Sequence, residues 1–485
     1  MSAVAAARRA LGWRAAEQAS VQAIYFVRIL VLARLLVPEA FGLVAIAMLA
    51  LSVLLSLSDL GVVPALVQRA DADRDDYDAA WTIRLCRAAL IAAALVVAAP
   101  VIAAMFGDER AAAVIRLLAL RPVLEALGSI GVARLTREFR FRDLAFIQVP
   151  AALIDAGVAI ALAGTLGVWA LVAGSLAGAA GGSLLSYAVA PHRPRLLFGR
   201  RTAEPLVRFG GWVLATSVVG LIATSGIQLV ISRELGVAEL GLYFLATKVA
   251  FLPADAASHV AGTVAFPLYA SMRHDEAGTA ATLRSLLIAQ ALVLFPGYAL
   301  VAALAPSLTE MLGAEWAGSA PLIQIISVAA VGGLYADTVL PLLMGRGRPD
   351  RVTMIIGAQT AVLFLALFPL IAWFGLIGVA TAWVPAYAAA LAASLAFVGR
   401  EISRPLAGAG RRLLALFGVA LATAAIAAVA QLWLHGAAAL VAGGVLGVMC
   451  AGALLGALNR RMNLGIRELL SGRVAPVSLG SAVRV

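Results

Sequence analysis

The sequence predicts an all-α integral membrane protein of about 14 transmembrane helices, built as two six-helix lobes and a C-terminal helix pair. Of its 485 residues, 63% are hydrophobic and 13% are charged, whereas a soluble domain is roughly half apolar and a quarter charged. The charged residues form short clusters, and the apolar runs between them reach the roughly 20 residues that a spanning helix needs. A repeat with an offset of 199 residues divides the helices into two sets of six.

The apolar runs, bounded by charged or turn residues, predict the helices in order along the chain. The first run follows three arginines, as in a signal peptide. Because it contains Gln18, Gln22 and Arg28 and has no clear small-residue cleavage site, we predict that it is an uncleaved helix. The predicted helices cover about residues 15–36, 40–66, 79–105, 112–133, 144–164, 167–190, 208–232, 238–267, 283–306, 320–344, 352–374, 376–398, 412–434 and 437–458.

The basic residues predict the orientation of these helices, because cytoplasmic loops carry the excess of arginine and lysine. Twenty-eight of them lie in the N-terminal segment, in alternate loops and in the C-terminal segment, whereas four lie in the other loops. We therefore predict an even number of helices with both termini in the cytoplasm. Arg84 and Arg87 lie near the start of the third predicted helix, from which we expect them to reach cytoplasmic water.

The repeat predicts how the helices are grouped. The segment 34–43, RLLVPEAFGL, recurs at 233–242 as RELGVAELGL. Since six is an even number, the two copies run the same way through the membrane, and in such parallel repeats the substrate site lies between the halves. We predict an N-lobe with a cytoplasmic link over residues 1–207, a C-lobe over 208–400, and two further helices with a tail over 401–485.

The last two helices lie outside the repeat and carry almost no polar side chains. They contain two pairs of glycines spaced four residues apart, Gly443 with Gly447 and Gly452 with Gly456, which permit a close approach of another helix. We predict that they serve helix packing. The alternative is an apolar surface for a lipid tail.

Several charged residues lie deep inside predicted helices, where each costs at least about 2.5–3.5 kcal/mol unless it faces a cavity or a partner. Arg28, Arg121, Asp155 and Lys248 lie nine or ten residues from the predicted outer surface, which is a common depth of roughly 14 Å. Arg28 and Lys248 are ligand candidates, with structural ion pairing as the alternative. Arg121 and Glu125, one helical turn apart, are expected to pair with each other.

Polar side chains also recur on single helix faces, which predicts a hydrated cleft. The first helix presents Gln18, Gln22, Tyr25 and Arg28, the second presents Ser52, Ser56 and Asp59, and the eighth presents Lys248, Asp255 and His259. Coupling to H⁺ or Na⁺ would require a titratable or liganding group in the membrane. The candidates for this role are Asp59, Asp155, Asp255 and Asp337.

The sequence lacks the patterns of an enzyme, a metal site or a nucleic-acid-binding protein. No phosphate-binding loop, dinucleotide fingerprint or nucleophile–histidine–aspartate set is present, and His192, His274 and His435 are isolated in the sequence. The formal net charge of +11 resides in loops between apolar runs, without an aromatic platform for bases. We therefore expect no enzymatic activity, no cofactor, no metal ion and no nucleic-acid partner.

Two stretches of sequence resemble a known family. Residues 32–45, LARLLVPEAFGLVA, are followed by SDLG at 58–61 and ALVQR at 65–69, as at the start of bacterial polysaccharide exporters. Later segments match the seventh and eighth helices of that family, namely FGGW at 209–212, LGLY at 240–243 and FP at 266–267. The chain is similar to the lipid-linked oligosaccharide flippases of the multidrug/oligosaccharidyl-lipid/polysaccharide superfamily.

This resemblance implies two lobes that open alternately to the two sides of a bacterial cytoplasmic (inner) membrane. The implied substrate is a polyprenyl-diphosphate-linked oligosaccharide repeat unit, moved to the periplasmic leaflet for exopolysaccharide, lipopolysaccharide O-antigen or similar polymer synthesis. The implied partners are this substrate and membrane lipids, with a polysaccharide polymerase and glycosyltransferases as further partners.

Roles of individual residues follow from the same resemblance. The diphosphate would meet the cations Arg28, Lys248 and Arg121. The sugars would meet Gln18, Gln22, Tyr25, Ser217, Thr224 and Gln228, of which Ser217 and Thr224 align with Gln18 and Tyr25 under the repeat.

Two other functions compete with this interpretation. A drug/cation antiporter of the multidrug and toxin extrusion branch shares the fold and would use the four membrane aspartates as an acidic cavity. A membrane scaffold without transport activity is the second alternative.

Overall fold

The structure is a computed structural model that describes residues 3–58, 73–197, 223, 225–255, 269, 272, 276–400, 402 and 405–462. Within these residues the regular structure is helical, and none of them lies in a strand. The chain forms two compact units, Met1–Phe244 and Leu245–Val485.

The described residues of the first unit form eight complete helices and parts of two more. They are α1 (Ala3–Leu35), α2 (Pro38–Leu57), α3 (Arg74–Phe106), α4 (Arg110–Leu118), α5 (Leu120–Ala126), α6 (Val132–Arg137), α7 (Phe141–Leu166), α8 (Val168–Val189), the helical residues 225–234, and the first turns of α9 (Val237–Ala250).

The second unit begins within α9 and continues through six long helices. They are α10 (Glu276–Leu312), α11 (Ser319–Gly345), α12 (Pro349–Phe374), α13 (Leu376–Gly399), α14 (Gly410–Trp433) and α15 (Gly436–Met462). A short 3₁₀ turn, Ala314–Trp316, joins α10 to α11.

Eleven helices in the described residues are long and apolar enough to cross a membrane. The predicted all-α integral membrane fold is therefore confirmed, and the protein is a multi-pass membrane protein. Three of the 14 predicted spans are not among these eleven. Two of them, 208–232 and 238–267, lie partly outside the described residues.

The third, predicted as one helix over 112–133, is instead three short helices, α4 to α6. Pro122 has no N–H to donate to the carbonyl of Leu118, so the helical ladder breaks at Ala119. The second break lies before α6, where a Cβ on Gly131 would stand 2.7 Å from the carbonyl oxygen of Ala190. An apolar run does not reveal such breaks, because hydropathy registers burial and not backbone hydrogen bonding.

Helix α3 begins five residues before its predicted start, because a capping box fixes its first turn. The backbone N–H of Asp76 donates to Asp73 Oδ1 at 2.8 Å, and the N–H of Asp73 donates to Asp76 Oδ2 at 3.2 Å. These bonds satisfy donors that a helix N-terminus otherwise leaves open. Asp75 and Asp76, which precede the predicted start at residue 79, thus belong to the first turn of the helix.

Two helical hairpins turn at glycines with nearly the same backbone conformation. Gly167, between α7 and α8, has φ 57° and ψ −125°, and Gly375, between α12 and α13, has φ 54° and ψ −132°. A positive φ of this kind favours glycine over residues with a side chain. The two hairpins are the ones that the predicted repeat would pair, although the lobe boundaries at 207 and 400 stay a prediction.

One of the two predicted glycine pairs of α15, Gly443 and Gly447, lies against a neighbouring helix, whereas a Cβ on Gly452 or Gly456 would meet nothing within 4 Å. A Cβ on Gly443 would stand 2.8 Å from a methyl of Leu304, and one on Gly447 would stand 2.6 Å from a methyl of Leu300. Both leucines belong to α10. The glycines therefore permit α15 to approach α10 closely.

Candidate functional site

A buried ion pair joins α1 to the α7–α8 hairpin in the first unit. Arg28 Nε lies 2.8 Å from Asp155 Oδ1, and only 13% and 6% of the two side chains are exposed. The Arg28 Nη2 group also lies 3.5 Å from the carbonyl oxygen of Leu171 on α8. Both charged groups come from apolar helices, so each provides the partner that the other needs in a low-dielectric environment.

A glycine notch on α8 positions Asp155. A Cβ on Gly174 would stand 2.6 Å from the carbonyl oxygen of Asp155, and one on Gly178 would stand 2.7 Å from its Cβ. These glycines allow α7 and α8 to meet at the level of the carboxylate. Sequence analysis missed them, although their spacing of four residues is a visible signal for close helix packing.

Tyr25 lies one turn before Arg28 on α1 and belongs to the same cluster. It lies within electrostatic range of Asp155, and its side chain is half-buried. Tyr25 also lies within electrostatic range of Arg121. The predicted polar stripe of α1 therefore meets charged groups from other helices at Tyr25 and Arg28.

Arg121, on α5, forms the ion pair that its spacing from Glu125 predicts. Arg121 Nε lies 2.9 Å from Glu125 Oε1, with 31% and 48% of the two side chains exposed. Arg121 Nη1 also lies 3.8 Å from the sulfur of Met48 on α2. Together with Arg28 and Asp155, this pair makes a cluster of two cations and two anions.

Of the other predicted site residues of the first unit, the structure describes three and leaves three outside the described residues. Gln18 and Gln22 are half-buried on α1, and Gln228 is half-buried with its Oε1 atom lacking a hydrogen-bond partner in the described part of the chain. Ser217, Thr224 and Asp59 lie outside the described residues. Their proposed contacts with sugars or ions stay predictions.

Lys248, Asp255 and Asp337 belong to the second unit. Each is exposed, although Asp337 lies in the middle of the apolar helix α11. Asp337 and Asp255 are both within electrostatic range of the buried Tyr298 hydroxyl on α10. The structure thus brings two of the four candidate coupling aspartates near one tyrosine.

Arg84 and Arg87 on α3 do not reach for cytoplasmic water as sequence analysis expects. Arg84 donates to the carbonyl oxygens of Ala126 and Gly128, at the end of α5. Arg87 Nη2 donates to the carbonyl oxygen of Leu55 at 2.8 Å. The open carbonyls of helix ends are favourable partners for cations, so the two arginines hold the ends of α5 and α2.

A separate charged network lies near the C-terminal end of α3, at the other end of this helix from its capping box. Arg110 Nη2 lies 2.6 Å from both Glu39 Oε1 and Asp108 Oδ2. The hydrogen bond from the Arg110 side chain holds the pKa of the Asp108 carboxyl below its usual value. This network joins the first turns of α2 and α4.

At the same end, α2 crosses α9 through the two repeated segments. A Cβ on Gly42 would collide with the carbonyl oxygen of Val237, and a Cβ on Gly241 would collide with that of Pro38. Under the offset of 199 residues, Pro38 corresponds to Val237 and Gly42 to Gly241. The contact is therefore reciprocal between corresponding positions of the two segments.

Comparison with known proteins places the chain in a family of polysaccharide biosynthesis proteins. A family model described as polysaccharide biosynthesis protein matches residues 31–321. The chain is 28% identical to a succinoglycan biosynthesis transport protein of Rhizobium meliloti (strain 1021), over 79% of this chain and 74% of that protein. It is 24% identical to a lipopolysaccharide biosynthesis protein of Escherichia coli (strain K12), over 70% of each chain.

The fold is also similar to that of a solved membrane protein. A lipid II flippase in an inward closed conformation matches with a TM-score of 0.66 and 13% identity, over 90% of this chain and 98% of that one. At this identity the likeness concerns the fold.

Proposed function

Because the chain belongs to the polysaccharide biosynthesis protein family, we propose that it is a flippase for lipid-linked oligosaccharides. It moves a polyprenyl-diphosphate-linked repeat unit from the cytoplasmic to the periplasmic leaflet by alternating access, for synthesis of an exopolysaccharide, an O-antigen or a similar polymer. The family match carries this proposal, with support from relatives named for succinoglycan transport and lipopolysaccharide synthesis. These relatives favour a flippase over a drug/cation antiporter.

The protein is a transporter and not an enzyme, and we place it in the bacterial cytoplasmic membrane with both termini inside. Its orientation rests on the arginine-rich loops. A polysaccharide polymerase and glycosyltransferases would act on the product and supply the substrate, respectively.

The buried pair of Arg28 and Asp155 supports a site for the diphosphate. A guanidinium forms two parallel hydrogen bonds to phosphate as well as to carboxylate, so the headgroup can replace Asp155 as the partner of Arg28. The Tyr25 hydroxyl lies beside both groups. Arg121 and Lys248 are the further cations, and Gln18, Gln22 and Gln228 offer amides to the sugars.

The carboxylate of Asp155 also has a role when no substrate is bound. An empty carrier must return through its cycle, and an unpaired Arg28 would then stay in the membrane at a high free-energy cost. Pairing with Asp155 keeps the empty site neutral. Asp155 would thus displace the headgroup from Arg28 as the substrate leaves.

In this proposal, two sources drive transport. They are the action of the membrane potential on the charged substrate and the coupled binding of H⁺ or Na⁺. A membrane potential that is negative inside favours outward movement of an anion by about 2.3 kcal/mol per charge per 100 mV. The aspartates Asp255 and Asp337 near Tyr298, together with Asp59, are the proposed groups for coupling to H⁺ or Na⁺.

Export by variants tests the diphosphate site. In a host strain that lacks its own copy, Arg28→Ala and Lys248→Ala should each lower polysaccharide export, and the double variant should lower it at least about tenfold, which corresponds to about 1.4 kcal/mol. The amount of protein in the membrane is measured in parallel. Arg116→Ala is the control, because Arg116 is an exposed arginine of α4. Full export by the double variant would overturn the site.

A further inference from the structure

A cavity of about 340 Å³ lies in the first unit, away from the Arg28 cluster. Its lining consists of Asp73, Arg74, Arg134, Pro191, His192 and Arg193. These residues come from the start of α3, from α6 and from the segment after α8. All three segments lie in or beside connections that the arginine distribution predicts to be cytoplasmic.

The three guanidiniums around this cavity have unused donors. Arg134 lies over the ring of Tyr77, 5.4 Å from its centroid, and is exposed. Arg74 Nε is 3.9 Å from Asp78 Oδ2, and 57% of its side chain is exposed. Arg193 is exposed and makes no ion pair with the described residues. A guanidinium carries five N–H donors, so most donors around the cavity remain available.

The carboxylates at the same place are occupied within the protein. Asp73 Oδ1 accepts the N–H of Asp76 in the capping box. Asp78 is 2% exposed, its Oδ1 lies 2.7 Å from His192 Nε2, and the same oxygen accepts the backbone N–H of Arg195 at 3.2 Å. These bonds hold the start of α3 and the segment around His192, both of which line the cavity. The hydrogen bond that Asp73 accepts leaves its negative charge in place, so three guanidiniums share the lining of the cavity with one carboxylate.

We propose that this cavity binds a phosphate group. Arginines bind phosphate through paired, charge-assisted hydrogen bonds, and the long helix α3, which begins at Arg74, adds a partial positive charge at its N-terminus. The volume is at the small end of ligand pockets and suits a headgroup rather than a whole lipid. Basic pockets at the cytoplasmic ends of membrane helices are suited to anionic lipid headgroups, and a soluble phosphate compound offers the same chemistry.

The experiment uses the purified full-length protein and two probes. Cardiolipin, titrated against a phosphatidylcholine background in nanodiscs, represents the lipid source. Inorganic pyrophosphate, titrated onto protein in neutral detergent, represents the soluble source. Binding is followed by native mass spectrometry for the lipid and by calorimetry for pyrophosphate.

The test compares Arg134→Gln and the double variant Arg134→Gln/Arg193→Gln with Arg142→Gln. Arg142 is a matched control, since it is an exposed arginine 5.7 Å from the ring of Phe146 and does not line the cavity. We expect the double variant to bind at least about tenfold more weakly than wild type, and Arg142→Gln to bind like wild type. All side chains changed are exposed, and equal melting temperatures verify folding.

Binding of cardiolipin alone would identify a lipid headgroup as the ligand, and binding of pyrophosphate alone would identify a soluble phosphate. Equal affinity of the double variant and wild type for both probes would overturn the proposal. So would a wild-type protein that binds neither probe, or an equal loss of affinity in Arg142→Gln.

Discussion

Arg28 has two candidate roles, one in the stability of the fold and one in substrate binding. As a buried partner of Asp155 it stabilises the contact of α1 with α7, and as a guanidinium in an apolar layer it can bind a diphosphate. The depth of Arg28 and Asp155 in their predicted helices placed both residues among the candidates. Their pairing could not be predicted, because it depends on the approach of α7 to α8 at Gly174 and Gly178.

A double-mutant cycle separates the structural role of Arg28 from the binding role. Arg28→Ala leaves the Asp155 carboxylate buried without its cation, so we expect a loss of about 3–5 kcal/mol in the free energy of unfolding. Arg28→Ala/Asp155→Ala should regain a large part of that stability. Thermal unfolding of the purified variants measures both effects.

Export by the same variants completes the cycle. If Arg28 binds the headgroup, the double variant regains stability but not export. Restored export together with restored stability would show that Arg28 only serves the fold. The pair of Arg121 and Glu125 is the control for stability, because it is more exposed and its removal should cost about 1 kcal/mol or less.

At the level of helices, the crossing of α2 and α9 is the contact that the repeat explains best. Gly42 and Gly241 each lie against the backbone of the opposite helix, so neither position has room for a methyl group. The repeat in the sequence identified both segments, but not that they contact each other.

Alanine at these glycines tests the crossing. In Gly42→Ala and Gly241→Ala a Cβ would collide with a carbonyl oxygen, and we expect each to lower stability by about 1–3 kcal/mol and to reduce export. Gly157→Ala is the matched control, since that glycine lies inside α7 with open space around its Cβ position. Melting temperature and export are measured for all three variants. Wild-type behaviour of both α2 and α9 variants would contradict a close crossing.

Apolar runs predicted the long helices well, because length and hydropathy are the properties that lipid requires of a spanning segment. They failed at 112–133, where Pro122 interrupts the helix inside a predicted span. They also placed the start of α3 too late, since Asp73 and Asp76 form a capping box that hydropathy does not register. The ends and breaks of helices therefore depend on backbone and side-chain hydrogen bonds, which a hydropathy pattern does not contain.

At the scale of the whole molecule, the first unit holds two separate clusters of charged residues. The segments around Arg74, Arg134 and Arg193 meet at one cavity, and the first turns of α2 and α4 meet at the pair of Glu39 and Arg110. Family and fold class could thus be predicted from the sequence, since both rest on long-range patterns. The sugar composition of the substrate could not, because the amides and hydroxyls of candidate residues suit many sugars.

The central claim is that the protein moves a lipid-linked oligosaccharide across the membrane, and reconstitution tests it most directly. The purified full-length chain is placed in liposomes that carry the host's lipid-linked repeat unit in the inner leaflet, and a membrane-impermeant glycosidase reports its arrival outside. We expect rapid exposure with wild type and slow exposure with Arg28→Ala/Lys248→Ala. Exposure by wild type at the rate of protein-free liposomes would contradict the claim.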